Sequence, residues 1–501
     1  MIQPTTQALP TPYLPALGLE AAWQQTAWQQ PGACHLGYAD PARGPVPNPG
    51  MGLVGYVLSD WMIPHIDESQ PPQPLDRKAF DDLLDLPLID QLYIRPEWRM
   101  VQREPGRLEL PEAWDWLLGG SAARGKPWSF RVVHTCPHSL HECSAPDFVR
   151  PDCAWWPYHV DNKPGPHHKL APRYDEAFLR HWGEFQRLLA ARFDADPLLE
   201  SVDVGGYGFW GEFHHLIGPW HHPVDDVRAE TVMRRVLEDQ LDAFTRTPTV
   251  MQLQPEGGAP MERVTAEAMA RGCWLRRDSF SAGYTPWEWR QAQRRCPGAA
   301  YVFEVLMNDD ANAGGMPGLG SDALPQRLLD SGFALVSIGF NPWHALRYAK
   351  EHVAAAESLR ERLGYRLRPA ITWHRPGDAA QGPQLGVALF NDGSSWVTGQ
   401  LTLHGELADG RRASALLPPG EPRPGAPLWV ELAFPPGAAS ALPATYAGPH
   451  PWDFRNSPSG AASALPATLS LSTRIGAKDH PVRWAIRPDG RLSADGLRFQ
   501  P

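Results

Sequence analysis

Eight short apolar runs alternate with longer amphipathic segments between residues 51 and 338, and this alternation restricts the fold more than any other feature of the chain. Apolar residues at helical spacing predict helices within 174–193, 229–244 and 344–363. Alternating strands and helices form a parallel sheet, and eight such units in roughly 315 residues match a (β/α)8 barrel. The strands of this predicted barrel are 51–58, 88–94, 128–134, 201–206, 249–254, 273–276, 300–306 and 333–338.

Two further regions flank the predicted barrel, which we place at residues 47–364. After residue 364 helical spacing disappears, and alternating apolar and polar residues occur in short runs separated by Gly, Pro and Asp. This pattern predicts a β-sandwich accessory domain at 365–501. Residues 1–46 are rich in Pro, Gln and Ala without a clear period, so we predict an N-terminal arm.

Charge and hydropathy exclude several classes of function. A formal net charge of -10 argues against a nucleic-acid-binding role. No apolar run reaches the roughly 18–20 residues that span a bilayer, so no membrane partner is expected. The N-terminus lacks the basic start and apolar segment of a signal peptide, which predicts a cytoplasmic protein, although a mature secreted chain would look the same.

Two glutamates lie where a barrel would carry its active site. The stretch VDVGGYGFWGEFHH at 202–215 begins as the fourth strand, contains four glycines and delivers Glu212 just past the strand. Glu304 lies toward the end of the seventh strand, on the opposite side of the ring. Barrel active sites lie at the carboxyl ends of the strands. Two carboxylates across one pocket are what glycosidic bond hydrolysis requires.

The Trp-Gly-Glu core at 210–212 and a glutamate in strand seven resemble the arrangement of clan A glycoside hydrolases. In more detail, the chain resembles uncharacterised bacterial barrel proteins with a β-rich C-terminal domain. The resemblance implies that Glu212 is the general acid/base and Glu304 the nucleophile of a retaining enzyme. Such an enzyme hydrolyses a β-linked glycoside or oligosaccharide and needs no cofactor. The chain departs from the commonest clan A pattern in one place, because Gly211 precedes the acid/base where that pattern has Asn.

Other side chains near the predicted strand ends are candidates for contact with the carbohydrate substrate. An arginine after strand two can orient the nucleophile, tryptophans can stack on sugar rings, and histidine or tyrosine can bond to hydroxyls. Packing at the barrel rim explains the same residues without a substrate. The candidates are Arg95, Trp98, His134, Tyr207, Trp210, His214, Arg277, Tyr284, Asn341 and Trp343.

Two other functions remain open from the residues alone. An inverting glycosidase would use a different second carboxylate, Asp309 or Glu256, with carboxyl groups about 6.5–9.5 Å apart instead of about 5–5.5 Å. A non-catalytic barrel would bind a glycan through its aromatic residues while the glutamates failed to converge. The loop at 135–172 is rich in Cys, His and Trp, but its cysteines lack metal-ligand spacing. We therefore predict no metal site there, and interpret the loop as a lid.

Overall fold

The computed structural model describes most of the chain, and the fold is given for these residues only. They are 34–38, 41–58, 77–161, 165–214, 226–253, 258–278, 295–304, 323–338, 342–375, 380–407, 409–436, 467–486, 492–493 and 496–498. The chain divides into two compact units. One comprises Gly50–Arg360 with Ile475–Lys478, and the other comprises Met1–Pro49, Glu361–Arg474 and Asp479–Pro501.

The strands follow one another along the chain in both units. In chain order they are β1 Cys34–Tyr38, β2 Gly52–Leu58, β3 Gln91–Arg95, β4 Trp128–Phe130, β5 Trp155–His159, β6 His168–Pro172, β7 Leu199–Asp203, β8 Thr249–Gln252, β9 Trp274–Asp278, β10 Tyr301–Glu304, β11 Leu335–Ile338, β12 Leu367–Arg375, β13 Gln384–Asn391, β14 Gln400–Leu407, β15 Arg412–Leu416, β16 Leu428–Ala433, β17 Ala467–Ile475, β18 Lys478–Val482, β19 Leu492–Ser493 and β20 Gly496–Arg498.

The described helices separate many of the strands. They are α1 Arg77–Asp85, α2 Trp98–Val101, α3 Glu112–Arg124, α4 Glu176–Phe193, α5 Asp226–Ala243, α6 Gly258–Ala270, α7 Ala323–Ser331, α8 Pro342–Glu351 and α9 Val353–Arg362. The predicted helix at 344–363 is divided into α8 and α9 at His352, although hydrogen bonds of helical spacing continue across the division. None of the described helices is both long and apolar enough to cross a membrane.

Eight parallel strands close into a barrel, which confirms the predicted fold of this unit. The order around the ring is β2, β3, β4, β7, β8, β9, β10 and β11, and β11 pairs with β2 to close it. Each of the eight predicted apolar runs overlaps one of these strands. Their side chains are buried on both faces, as is typical of strands enclosed by helices.

Helix α4 shows how the sequence builds the outer layer. Asp175 begins the helix by accepting a hydrogen bond from the Phe178 backbone N–H at 2.9 Å. The apolar residues then recur on one face, and Phe178, Trp182 and Phe185 are buried against the barrel. Burying each large aromatic side chain contributes roughly 1.5–3 kcal/mol.

The second unit contains two antiparallel sheets. The first has the order β1, β12, β13 and β16, and the second contains β15, β14, β17, β20 and β19, with β18 paired to β17. Strand β14 alternates buried and exposed side chains over much of its length, as expected for a sheet with one covered face. A Cβ atom on Gly405 of β14 would lie 2.8 Å from Leu432 of β16, so the two sheets contact each other there. Strand β1 of the first sheet lies within the predicted N-terminal arm, and the composition of the arm does not indicate a strand.

A buried carboxyl group at the amino end of β7 makes the stability of the barrel depend on pH. Burial raises the pKa of Glu200 from its ordinary value of 4.5 to about 7, although the Gly50 backbone N–H donates to it. Between these pH values the folded protein keeps a proton that the unfolded chain releases. Stability is therefore lost as pH rises from about 4.5 toward 7.

We expect Glu200→Gln to remove this loss because the amide carries no charge at any of these pH values. The variant should exceed the wild type in free energy of unfolding by about 1–3 kcal/mol at pH 8 and by much less at pH 5. Urea unfolding at the two pH values measures the difference. The exposed Glu184 on α4 supplies the matched control, Glu184→Gln. An equal effect of Glu200→Gln at both pH values would contradict the assignment.

Candidate active site

The loop after β7 carries Glu212 in a backbone that most residues adopt only at a cost. Trp210 and Phe213 have φ values of 55° and 61°, in the left-handed region that disfavours side chains. Gly206 and Gly208 also have positive φ values, and this explains why the stretch has glycine at these two positions. A Cβ atom on Gly206 would lie 2.3 Å from the Trp182 side chain, and one on Gly208 would lie 2.7 Å from the backbone nitrogen of His214. Such strain persists where surrounding contacts hold it, often at functional sites.

Three side chains converge on the Glu212 carboxylate. Arg95, the last residue of β3, donates from Nη1 to Oε1 at 2.6 Å, and Arg131 donates to the same oxygen at 3.2 Å. His214 Nε2 lies 2.9 Å from the other oxygen, Oε2. Glu212 is buried, with 8% of its surface exposed. A buried carboxylate needs such partners, because a lone charge is costly away from water.

Glu304 is the last residue of β10 and faces the same arginine. Its Oε1 lies 4.0 Å from Arg95 Nη1, the nitrogen that also contacts Glu212. The two glutamate oxygens can therefore be at most about 6.6 Å apart, the sum of the two distances from that nitrogen. The structure thus brings together the two carboxylates that the sequence analysis selects. Arg95 also lies beside Tyr56, with its Cζ atom 5.6 Å from the centre of the ring.

A second carboxylate, Asp203, anchors a buried network inside the barrel. Asp203 ends β7, and its Oδ2 accepts from Tyr93 Oη at 2.8 Å and from Arg131 Nη2 at 3.1 Å. The same oxygen accepts from Arg276 Nε of β9. Arg276 also lies over the Tyr93 ring, 4.1 Å from its centre. Buried ion pairs of this kind fix geometry, because losing one partner leaves an uncompensated charge.

Two predicted substrate-binding residues lie beside Glu212 and remain candidates. The Trp210 indole is only partly buried, and its Nε1 donates to His138 Nδ1 at 3.1 Å. The His214 ring meets the Trp210 ring edge-on at 5.6 Å. These contacts fix the orientation of an aromatic face within two residues of the acid/base candidate.

Three other predicted contacts are corrected by their packing. Trp98 is 0% exposed and stacks on Phe185 at 5.2 Å, so its indole has no free face for a sugar. His134 is buried too, with Nε2 3.1 Å from Tyr174 Oη. Tyr207 stacks on the same tyrosine at 4.9 Å and is 0% exposed. These side chains support the loop from behind instead of lining an open pocket.

The remaining predicted residues divide into two groups. Arg277 is buried in β9 and donates to the Leu253 carbonyl at 3.0 Å. Four others lie outside the described residues, namely Tyr284, Asn341 and the alternative carboxylates Asp309 and Glu256. Trp343 lies at the start of α8, but its side chain is not described.

The lid predicted at 135–172 contains a β-hairpin, β5 paired with β6. Tyr158 of this hairpin packs on Phe209 of the glutamate loop, with ring centres 5.1 Å apart. Trp156 and Trp210 are partly buried and pack against the cluster of buried side chains that contains Tyr158 and Phe209. Among the described residues, no group of three or more His, Cys, Asp or Glu side chains is arranged to hold a metal ion.

The sequence analysis missed Arg131, Asp203 and Arg276. Each is a charged residue inside an apolar run of a predicted strand, as in WSFRVVH for Arg131 and VDV for Asp203. A charge in such a run must find a buried partner. That signal indicates a charged layer inside the barrel, but it does not say which strands supply the opposite charges.

Comparison with known proteins gives distant matches among solved structures alone. Neither a family model nor a curated protein sequence matches the chain. Among solved structures, endo-glycoceramidase II from Rhodococcus sp. in a cellobiose-like imidazole complex is 13% identical with a TM-score of 0.38, over 79% of this chain and 100% of that chain. The GH5_18 protein from Streptomyces cattleya in complex with GlcNAc is 14% identical with a TM-score of 0.37, over 59% and 70%. These identities and TM-scores are too low to assign a family or an activity to this chain.

Proposed function

We propose that this protein is a retaining glycoside hydrolase that acts on a β-linked glycoside through a glycosyl-enzyme intermediate. The observation that carries the proposal is the convergence of Glu212 and Glu304 on Arg95 at the carboxyl ends of the barrel strands. The Oε1 atoms of the two glutamates are at most about 6.6 Å apart, a limit at the lower end of the inverting range of about 6.5–9.5 Å. This spacing supports retention and leaves little room for a water molecule between the two groups.

In the proposed mechanism, Glu304 is the nucleophile. Its carboxylate attacks the anomeric carbon while the bond from that carbon to the leaving oxygen breaks and Glu212 donates a proton to that oxygen. Glu212 then takes a proton from water, which attacks the anomeric carbon and releases Glu304. Because both guanidinium groups contact Oε1 of Glu212, we assign the transferred proton to Oε2, where His214 lies.

The acid role of Glu212 predicts a dependence on the leaving group. In Glu212→Gln, kcat/KM for glycosides with poor phenol leaving groups should fall about 10²–10⁴-fold, because general acid catalysis is lost. Activated 2,4-dinitrophenyl glycosides need little protonation and should keep most of their kcat/KM. A series of aryl β-glycosides in gluco, galacto and manno configuration measures the contrast.

Glu184→Gln, the same change at an exposed site on α4, is the matched control and should leave both classes of substrate unaffected. Equal losses on good and poor leaving groups in Glu212→Gln would argue against its acid role.

A glycan-binding barrel without catalysis is the second candidate. The observation that favours it is the pair of arginines on Glu212, since a carboxylate held by two guanidinium groups also has a purely structural explanation. Under this function the wild type would bind oligosaccharides but release no product from any aryl glycoside. Calorimetric titration with β-linked oligosaccharides, alongside the aryl glycoside assay, distinguishes the two candidates.

For the second unit, we propose that its two antiparallel sheets form a β-sandwich that serves as an accessory domain. The contact of Gly405 in one sheet with Leu432 in the other supports face-to-face packing. We keep residues 365–501 as the proposed extent of this domain, residues 47–364 as the barrel and residues 1–46 as the arm.

A further inference from the structure

Arg131 is a buried cation to which the mechanism above gives no role beyond its contact with Glu212 Oε1. It follows β4 directly and is 1% exposed. Its backbone N–H donates to the Ile94 carbonyl of β3 at 3.1 Å, so the barrel itself fixes where the side chain starts. An arginine at this depth requires acceptors on several sides, because its guanidinium carries five N–H donors and remains charged.

The guanidinium of Arg131 connects the glutamate loop to the barrel interior. Toward the loop, Nη1 donates to Glu212 Oε1 at 3.2 Å and to the Trp210 carbonyl at 3.4 Å. Toward the interior, Nη2 donates to Asp203 at 3.1 Å and to Gln252 Oε1 at 2.8 Å. One planar group therefore ties Glu212 to strands β7 and β8.

Gly211 shows why this connection is needed. Glycine at this position has no side chain with which to hold the loop. A Cβ atom on Gly211 would lie 3.3 Å from Arg131 Cδ, so the arginine stem occupies the adjacent space. The φ of Gly211 is +68°, a conformation in which a side chain would also be strained. Arg131 thus packs directly against Gly211, in the space that a side chain at position 211 would need.

The loop that carries Glu212 also contains strained backbone conformations, which persist only if surrounding contacts stabilise them. Trp210 and Phe213, on either side of Gly211 and Glu212, both have positive φ. The Trp210 carbonyl that accepts from Arg131 belongs to one of these strained residues. A charge-assisted hydrogen bond is of comparable strength to the cost of one such backbone conformation.

We propose that Arg131 is a positioning residue, which holds the strained Glu212 loop and orients the Glu212 carboxylate for proton transfer. This inference rests on the proposed glycoside hydrolase function. Arg131 differs in role from Arg95, which contacts Glu212 and also faces Glu304. Through Asp203, Arg131 couples the orientation of Glu212 to the charged layer inside the barrel.

The test compares Arg131→Met and Arg131→Lys with the wild type by three measurements. Hydrogen exchange of the segment 204–213 reports the loop, whose Trp210, Glu212 and Phe213 N–H groups are hydrogen-bonded to carbonyl groups. The pH profile of kcat/KM on 2,4-dinitrophenyl and phenyl β-glycosides reports proton transfer. A crystal structure of Arg131→Met gives the position of the Glu212 carboxylate without any substrate.

In Arg131→Met we expect exchange of 204–213 to accelerate about tenfold or more, with the barrel strands unchanged. Across the pH profile, kcat/KM should fall about tenfold further on phenyl than on 2,4-dinitrophenyl glycosides, because a displaced acid protonates a poor leaving group less well. Arg131→Lys keeps the charge but not the planar guanidinium, and should restore the exchange and this ratio only in part. The matched control is Arg360→Met, which removes the partner of Asp90 at the amino end of β3 and should change neither.

Unaltered exchange in Arg131→Met, or a loosened loop with an unchanged ratio of kcat/KM between the two substrates, would overturn the proposal. The second outcome would leave Arg131 with a structural role only. If the wild type hydrolyses none of the glycosides, the proposed function fails and the crystal structure decides about Arg131. A Glu212 carboxylate displaced in the variant then supports positioning, and one that keeps its contacts with Arg95 and His214 contradicts it.

Discussion

Replacing Glu304 by glutamine is expected to reduce kcat on aryl β-glycosides by on the order of 10⁴-fold or more, the scale seen when other enzymes lose a catalytic nucleophile. The amide has the shape of the carboxylate but cannot form the glycosyl ester. Because Glu304 ends a buried strand and faces Arg95, the change also removes one negative charge near that arginine. Steady-state kinetics with 2,4-dinitrophenyl glycosides measures the loss.

Folding of Glu304→Gln must be checked in the same preparation, since a buried charge partner has been changed. A cooperative unfolding transition near that of the wild type would show that the loss is catalytic. Glu212→Gln provides an internal comparison, because it should retain most of its kcat/KM on the same activated substrates. Wild-type rates in Glu304→Gln would show that another carboxylate, such as Asp309 or Glu256, is the nucleophile.

The second large effect is expected on stability, in Asp203→Asn. This change leaves Arg131 and Arg276 buried beside an amide in place of a carboxylate. Removing one partner of a buried ion pair costs about 3–5 kcal/mol, because the remaining charge is uncompensated away from water. The free energy of unfolding from urea titration should fall by that amount.

Asp85→Asn is the control for Asp203→Asn, because Asp85 forms a 2.6 Å pair with Arg124 on the surface of the same unit. With 64% of the aspartate side chain exposed, solvent screens the pair, and the expected loss of stability is much smaller than in Asp203→Asn. Similar losses in the two variants would mean that the buried network contributes no more than a surface pair.

The barrel could be predicted because its signal is local. Apolar runs such as MGLVGYVL and AYVFEVL are buried on both faces, and the amphipathic segments between them have helical spacing. The strand β1 could not be predicted in this way. Its residues CHLGY form a strand through pairing with β12, more than 300 residues away along the chain.

The candidate site was only partly accessible from the sequence. The positions of Glu212 and Glu304 follow from the strand count, since carboxyl ends of parallel strands share one end of a barrel. The direction in which a rim side chain points depends on packing instead. Trp98 follows its strand as a sugar-stacking residue would, yet helix α4 supplies Phe185 and Trp182 to enclose it. Arg131 was missed because its acceptors come from β7, β8 and the glutamate loop.

The central claim, that Glu212 and Glu304 form a retaining catalytic pair, is tested most directly by trapping the intermediate. The protein would be incubated with 2,4-dinitrophenyl 2-deoxy-2-fluoro-β-glycosides of gluco, galacto and manno configuration, which form the glycosyl ester but release it slowly. Peptide mass spectrometry then locates the label. We expect one fluoroglycosyl group on Glu304 and none in Glu304→Gln. A label on another carboxylate, or no label from a sugar series that the wild type hydrolyses, would contradict the assignment.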